Sequence, residues 1–210
     1  MTAEPAHRPR RTQQERRAAT VAKLVDATIA AIGEVGYQHA TVQEICGRAG
    51  LSVGAMFRQF DSRLDLIVRT VGEVLTRQTA GFRMVMEQLG DQGNSIDAAL
   101  RFLRSAQADN ITHALREIYL AARSDAELRA RIAPSIESYY AEIVAEVERT
   151  AVLERFPERV RRPLFFLVLH LFSGQAVVRG VIPDPAMDDS VLELIEDLLG
   201  TYVAAKGIER

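Results

Sequence analysis

The amino-acid sequence predicts an all-α protein with a helix-turn-helix near its N-terminus. Apolar residues recur three and four positions apart along most of the 210 residues, and no alternating strand pattern occurs. Residues 41–63 contain two short helical segments joined by a glycine-containing turn, which is the pattern of a DNA-binding helix-turn-helix. We therefore expect an arm at 1–11, a DNA-binding domain at 12–61 and a second helical domain at 62–210.

The first domain opens with one long helix, predicted over residues 12–35. Its apolar stripe follows helical spacing, and Gly36 is expected to end it. The stripe consists of Ala18, Val21, Ala22, Val25, Ile29 and Ile32. The preceding arm is basic, and residues 1–63 carry nine Lys and Arg against six Asp and Glu. A basic arm suits phosphates or a minor groove, and Arg10 and Arg11 are its candidate contacts; a solubilising tail is the alternative.

Residues 41–60 predict the two short helices themselves. Thr41 and Glu44 have the spacing of a capping box, and Gly50 offers the positive φ that a helix end needs. Ser52 is the expected N-cap of the second helix, VGAMFRQF. The first turn of that helix, Val53–Gly54–Ala55, would meet base edges.

Ser62 is expected to begin the fourth helix, so Arg63 lies at a helix start where the helix dipole disfavours a cation. We therefore expect an anion outside the protein, a DNA phosphate, to pair with Arg63. Thr41, Ser52, Phe57 and Gln59 are predicted to flank the DNA backbone with it.

The segment TVQEICGRAGLSVGAMFRQFDSRLDLI resembles the DNA-binding signature of the TetR (tetracycline repressor) family. Two positions depart from that signature. The family usually has Tyr where this chain has Phe57, which cannot donate a hydrogen bond to phosphate, and Lys where it has Arg63. The resemblance implies nine helices, three for DNA and six for a second domain that binds an effector and dimerises.

The remaining segments supply that count. After the fourth helix and a break at 89–94, we predict helices over 95–107, 110–123, 125–152, 156–181 and 190–205. Pro134 is expected to bend or interrupt the third of these, and residues 181–188 are expected to form a proline-rich loop.

The last two helices are the predicted dimer interface, because the resemblance implies a four-helix bundle between two copies. Large apolar side chains there offer the area that an interface needs, although an intrachain core explains the same pattern. The candidates are Phe165, Phe166, Leu169, Phe172, Leu194 and Leu198.

The family also holds a small-molecule pocket in its second domain. Polar and aromatic residues within apolar helices are the local indications of one: Phe102, Gln107, His113, Arg116, Tyr119, Tyr139 and His170. His170 alone would more often be a hydrogen-bonded core residue. Since few of these residues suggest an anion clamp, an apolar or aromatic effector is favoured.

Other classes are disfavoured. No apolar run is long enough for a membrane span, and the arginine-rich start lacks a signal-peptide core. The single cysteine, Cys46, suits a reducing cytoplasm and a buried position, and the four histidines lack metal-ligand spacing. We expect no cofactor and no metal, and the absence of a catalytic constellation argues against a small helical enzyme.

The sequence thus predicts a homodimeric repressor that binds a palindromic operator in double-stranded DNA and is released by an effector. An effector-independent structural or cell-cycle factor of the same fold is the alternative.

Overall fold

A computed structural model describes residues 12–89, 95–149 and 151–207 of the chain. Within those ranges the structure is α-helical without strands, which confirms the predicted fold class. The ten helices are α1 (Gln13–His39), α2 (Val42–Ala49), α3 (Val53–Phe57), α4 (Arg63–Leu89), α5 (Ile96–Ala108), α6 (Asn110–Ala122), α7 (Ala126–Glu148), α8 (Ala151–Glu154), α9 (Glu158–Arg179) and α10 (Pro185–Gly207). The predicted count of nine was one too low, because α8 is separate from α7.

The chain divides into two compact units, and the boundary falls inside α4, between Thr70 and Val71. The first unit contains α1, α2, α3 and the start of α4. The second contains the rest of α4 and the remaining helices. Each unit has its own buried apolar side chains.

Helix α1 shows how local sequence sets an element. Thr12 and Glu15 form a reciprocal capping box: the Glu15 amide donates to Thr12 Oγ1 at 3.2 Å, and the Thr12 amide donates to Glu15 Oε2 at 2.7 Å. Gly36 has φ 79°, a value that only glycine adopts at little cost, and the regular helix stops there as predicted. The buried stripe of this helix includes Leu24, Val25, Ile29 and Ile32.

The core of the second unit forms around α9. Phe165 and Phe172 on α9 pack with Phe82 of α4, Leu100 of α5 and Leu192 of α10. Phe172 is 1% exposed. Burial of side chains this large is the main term that stabilises such a unit.

Two proline predictions were wrong. Helix α7 continues through Pro134 instead of stopping there. Residues 181–188 do not form one loop, because α10 begins at Pro185. Asp184 caps α10 by accepting the Met187 amide at 3.0 Å, and proline suits the first helical position because its missing N–H would be unpaired there anyway.

Candidate nucleic-acid interface and effector cavity

The turn between α2 and α3 has the geometry of a helix-turn-helix. Thr41 caps α2 by accepting the Glu44 amide at 3.2 Å, and Gly50 ends it in the left-handed conformation at φ 63°. The expected capping box is only half formed. The Glu44 carboxylate pairs with Arg48 at 2.7 Å, one turn along the helix, and so does not reach back to Thr41.

Helix α3 is shorter than predicted and presents a small, apolar first turn. Ser52 caps it by accepting the Ala55 amide at 3.1 Å, and the helix ends at Phe57 instead of Phe60. Met56 is fully buried and anchors it to the unit. Gly54 is exposed, and a Cβ placed on it would meet no described atom within 4 Å. Nothing within the described part of the chain therefore prevents a ligand from approaching this turn closely.

The residues that follow α3 supply an apolar surface and a cation. Phe57 is 50% exposed although it is a large aromatic side chain. Arg58 is exposed too, and no carboxylate of the described residues pairs with its guanidinium. An exposed, unpaired arginine beside a recognition turn is suited to a phosphate, and the sequence prediction omitted it.

Arg63 does not need the external anion that was predicted for it. Its Nε donates to the Ala40 carbonyl at 2.8 Å, and its Nη2 donates to the Tyr37 carbonyl. The guanidinium also lies 4.5 Å from the centre of the Tyr37 ring. These carbonyls belong to the C-terminal end of α1, where the helix dipole favours a cation. The argument from the start of α4 was therefore wrong, because the long side chain reaches a different helix end.

Gln59 is also held by a partner within the chain. Its Oε1 accepts from Arg17 Nε at 3.1 Å, which ties the exposed start of α1 to the segment after α3. This contact leaves the terminal amino groups of Arg17 available, so Arg17 joins Arg58 as a candidate that sequence reasoning missed. The predicted contacts Arg10 and Arg11 lie outside the described residues.

Cys46 is buried within the first unit, 2% exposed, and burial raises the pKa of its thiol. A buried, protonated thiol is a poor nucleophile, which favours the packing role over a redox role.

In the second unit, three of the predicted effector residues line one cavity of about 310 Å³, which we call the outer cavity. Phe102, Gln107 and Tyr139 contribute to it. Its other walls come from α4, α6, α7 and α9, and its polar groups include Gln78, Ser105 and Thr112. Ligand cavities in proteins have volumes of about 300–1,000 Å³, so the outer cavity is at the small end of that range.

The other predicted effector residues lie elsewhere. Tyr119 lines a separate groove with Tyr140, and burial raises the pKa of both phenols. Arg116 donates to the Gln107 carbonyl at 2.9 Å, and burial and the charge of Arg179 lower the pKa of Arg116. His113 is half-buried and is not among the residues that line the outer cavity.

His170 was predicted as a pocket residue or a buried core residue, and it is neither. It is exposed on α9, with its ring centroid 5.7 Å from that of Phe166.

The predicted dimer residues divide into three groups. Phe165 and Phe172 are buried in the core of their own unit, so their assignment to a dimer interface was wrong. Phe166 and Leu169 are half-buried. Leu194 and Leu198 of α10 are exposed, at 58% and 60%.

An exposed apolar stripe on α9 accompanies the two α10 leucines. Its members, at helical spacings of four, three and four, are Leu167, Leu171, Gly174 and Val178. We call these four residues with Leu194 and Leu198 the α9–α10 face. Helical periodicity within α9 could have separated this stripe from the buried one.

Within the described ranges, no helix is long and apolar enough to cross a membrane. The same residues contain no cluster of three or more His, Cys, Asp or Glu suited to a metal ion.

Comparison with known proteins gives matches over the helix-turn-helix and over nearly the whole chain. A family model described as bacterial regulatory proteins, tetR family, matches residues 24–70. An uncharacterized HTH-type transcriptional regulator of Mycobacterium tuberculosis is 36% identical over 189 residues, covering 90% of this chain and 97% of that protein.

Solved structures share the fold at lower identity. A transcriptional regulator from Rhodococcus sp. Rha1 has a TM-score of 0.64 at 18% identity, covering 88% of this chain and 96% of that one. The regulator FadR from Bacillus subtilis, solved in complex with stearoyl-CoA, has a TM-score of 0.59 at 19% identity, covering 82% and 96%.

Proposed function

Because this chain belongs to the tetR family of bacterial regulatory proteins, and is therefore a DNA-binding transcriptional regulator and not an enzyme, we propose that it is a homodimeric repressor. Two copies bind a palindromic operator, and a small-molecule effector in the second unit releases them. The protein acts in the cytoplasm, where the chromosome is accessible to it.

The observation that carries the DNA-binding proposal is the exposed first turn of α3 beside an unpaired arginine. Val53 and Ala55 are half-buried and Gly54 is open, so the backbone of this turn can come close to base edges. Their methyl groups suit thymine methyls but supply no hydrogen bonds to bases. Arg58 and Arg17 supply the phosphate contacts that set the position of the helix on DNA.

Thr41 and Ser52 remain at the backbone side of this arrangement. Both hydroxyls cap helices and both residues are exposed, so each cap lies at the surface that a phosphate would approach. Phe57 offers apolar contact to sugars and bases but no hydrogen bond. Sequence preference then depends partly on DNA shape and deformability, because few direct hydrogen bonds to bases are available from α3.

The α9–α10 face supports the homodimer. Exposed leucines and valines at helical spacing on two helices form an apolar surface that is more typical of an interface than of solvent. A Cβ on Gly174 would meet no atom within 4 Å in the described part of the chain, so its small size is free to serve close approach by a second helix. Twofold symmetry then matches two recognition helices to two half-sites of an operator.

The outer cavity supports the effector response. It combines apolar walls with a few polar groups, the usual composition of a small-molecule site. Related folds accept ligands, since the FadR structure holds stearoyl-CoA. An effector binding to α4 residues such as Phe82 and Met84 acts on the helix that also carries Arg63, so binding can favour one of two conformations of α4.

Selection of bound DNA from a random pool tests the proposal. A palindromic site with two half-sites about one helical turn apart is the expected result. Enrichment of a single, non-repeated half-site would contradict the dimer, and no enrichment over non-specific binding would contradict the repressor.

A further inference from the structure

The outer cavity has a neighbour deeper in the same unit. This second space, which we call the inner cavity, has a volume of about 70 Å³. Its walls come from α4, α5, α7, α8, α9 and α10, and every lining side chain is apolar. Its members include Ile96, Ala99, Leu153, Phe156 and Val168. Apolar cavities of this kind stay dry and accept apolar ligands.

Four side chains separate the two cavities. Phe82, Phe102, Leu103 and Phe165 line both of them. The rings of Phe82 and Phe102 are in contact, with centroids 5.7 Å apart and planes inclined by 50°. We call these four side chains the partition. Because the partition consists of side chains and Phe102 is only half-buried, rotation about side-chain torsions can open it without moving a helix axis.

The polarity of the two spaces differs in a way that selects a ligand. The outer cavity carries the amide and hydroxyl groups of Gln78, Gln107 and Thr112, whereas the inner cavity offers only hydrocarbon. A compact aromatic molecule can use the outer cavity alone. A molecule with a polar end and a chain can use both, and gains the additional apolar contact.

We propose that the effector has an unbranched apolar chain that crosses the Phe82–Phe102 contact into the inner cavity while its polar end stays in the outer cavity. This inference rests on the proposed effector response, and it adds the chemical class of the effector. Entry of the chain moves Phe82, which lies on α4, so the depth of insertion is coupled to the helix that carries the response.

Helix α5 offers a matched pair of positions for the test. Ala99 lines the inner cavity and Ala106 lines the outer cavity, and both are half-buried. They are seven residues apart, about two turns, and so lie on the same face of α5. Ala99→Leu fills the inner cavity, and Ala106→Leu narrows the outer cavity by the same added group.

The experiment measures binding of n-alkan-1-ols of four to twelve carbons by calorimetry to the full-length wild type and both variants. In the wild type, affinity should rise about four-fold per added methylene over the whole series. In Ala99→Leu it should follow the wild type for short alcohols and then stop rising, leaving the longest alcohol at least about ten-fold weaker. Ala106→Leu should weaken the whole series by a similar factor.

Equal slopes of affinity against chain length in the wild type and Ala99→Leu would overturn the proposal. So would a wild type that binds none of the alcohols, or one whose affinity stops rising while the chain is still short. Val168→Ala provides a second route if Ala99→Leu does not fold. It enlarges the inner cavity and should strengthen only the longest alcohols, several-fold, and an unchanged affinity for those alcohols would also overturn the proposal.

Operator binding, measured on the same samples, separates this inference from the proposed function. Alcohols that show the predicted break in slope but do not release DNA support the chain-binding cavity and contradict the effector response. Intact operator binding without any alcohol binding contradicts the cavity inference and leaves the DNA-binding function standing.

Discussion

Replacement of Arg63 with alanine distinguishes a structural arginine from a DNA-binding one. The guanidinium donates to two carbonyls at the end of α1 and lies over the Tyr37 ring. Alanine removes all three contacts and returns both carbonyls to water. We therefore expect Arg63→Ala to destabilise the first unit and to leave phosphate contacts unchanged.

The size of the effect follows from those contacts. Each hydrogen bond from a charged donor contributes about 1.5 kcal/mol at a half-exposed site, and the ring contact adds about 0.5 kcal/mol. Release of the arginine side chain returns about 2 kcal/mol of rotamer entropy. The free energy of unfolding of the first unit should therefore fall by about 1.5 kcal/mol, which lowers its urea midpoint by about 1–1.5 M for a unit of this size.

Urea unfolding followed by far-UV circular dichroism measures the stability, and operator binding at several salt concentrations measures the phosphate contacts. Arg58→Ala is the matched control, because it should leave the urea midpoint unchanged and lower the salt slope of binding by about 0.9 per lost phosphate, roughly two per dimer. An Arg63→Ala protein with unchanged stability and a reduced salt slope would refute the structural role.

Three further predictions concern other sites. Gly50→Ala should cost about 1 kcal/mol of stability by urea unfolding, because a Cβ there has open space but the left-handed backbone disfavours it; no loss would show that the turn adapts. Cys46 should react with a thiol reagent such as DTNB only as fast as the first unit opens, and rapid modification of the native protein would contradict its burial. A hydrogen bond with Asp97 raises the pKa of Glu196 and lowers that of Asp97, so the folded Glu196 keeps its proton at pH values where the unfolded chain loses it, and stability falls as pH rises through that folded pKa. Glu196→Gln should therefore match the wild-type Tm near pH 4 and exceed it by up to about 2 °C at pH 7, with Glu193→Gln as control; the opposite pH trend would refute the assignment.

Helix boundaries were predictable where a cap is local. Ser52 accepts an amide three residues away, and Gly36 and Gly50 take the positive φ that their position requires. Asp184 followed by Pro185 carries the same kind of local signal for the start of α10, and that signal was overlooked in favour of a loop. Pro134 shows the limit, because a helix packed along its length can continue through a proline that would stop an isolated one.

The candidate site was less predictable, because long side chains choose among partners that are distant in the chain. Sequence position suggested a phosphate for Arg63, yet Ala40 and Tyr37 receive it, and nothing local to residue 63 indicates them. In the same way, the pattern of α9 marked large apolar residues without showing which stripe faces the core. Phe165 and Phe172 are inside, whereas Leu167 is 64% exposed.

The sequence by itself determined the all-α class, the helix-turn-helix and the family, because caps, glycines and helical periodicity act over three to seven residues. The tertiary structure alone decided which arginines are engaged, which apolar stripe of α9 stays exposed and which effector candidates share a cavity. Those outcomes depend on contacts between helices far apart in the chain, where packing and desolvation select among partners that local sequence allows equally.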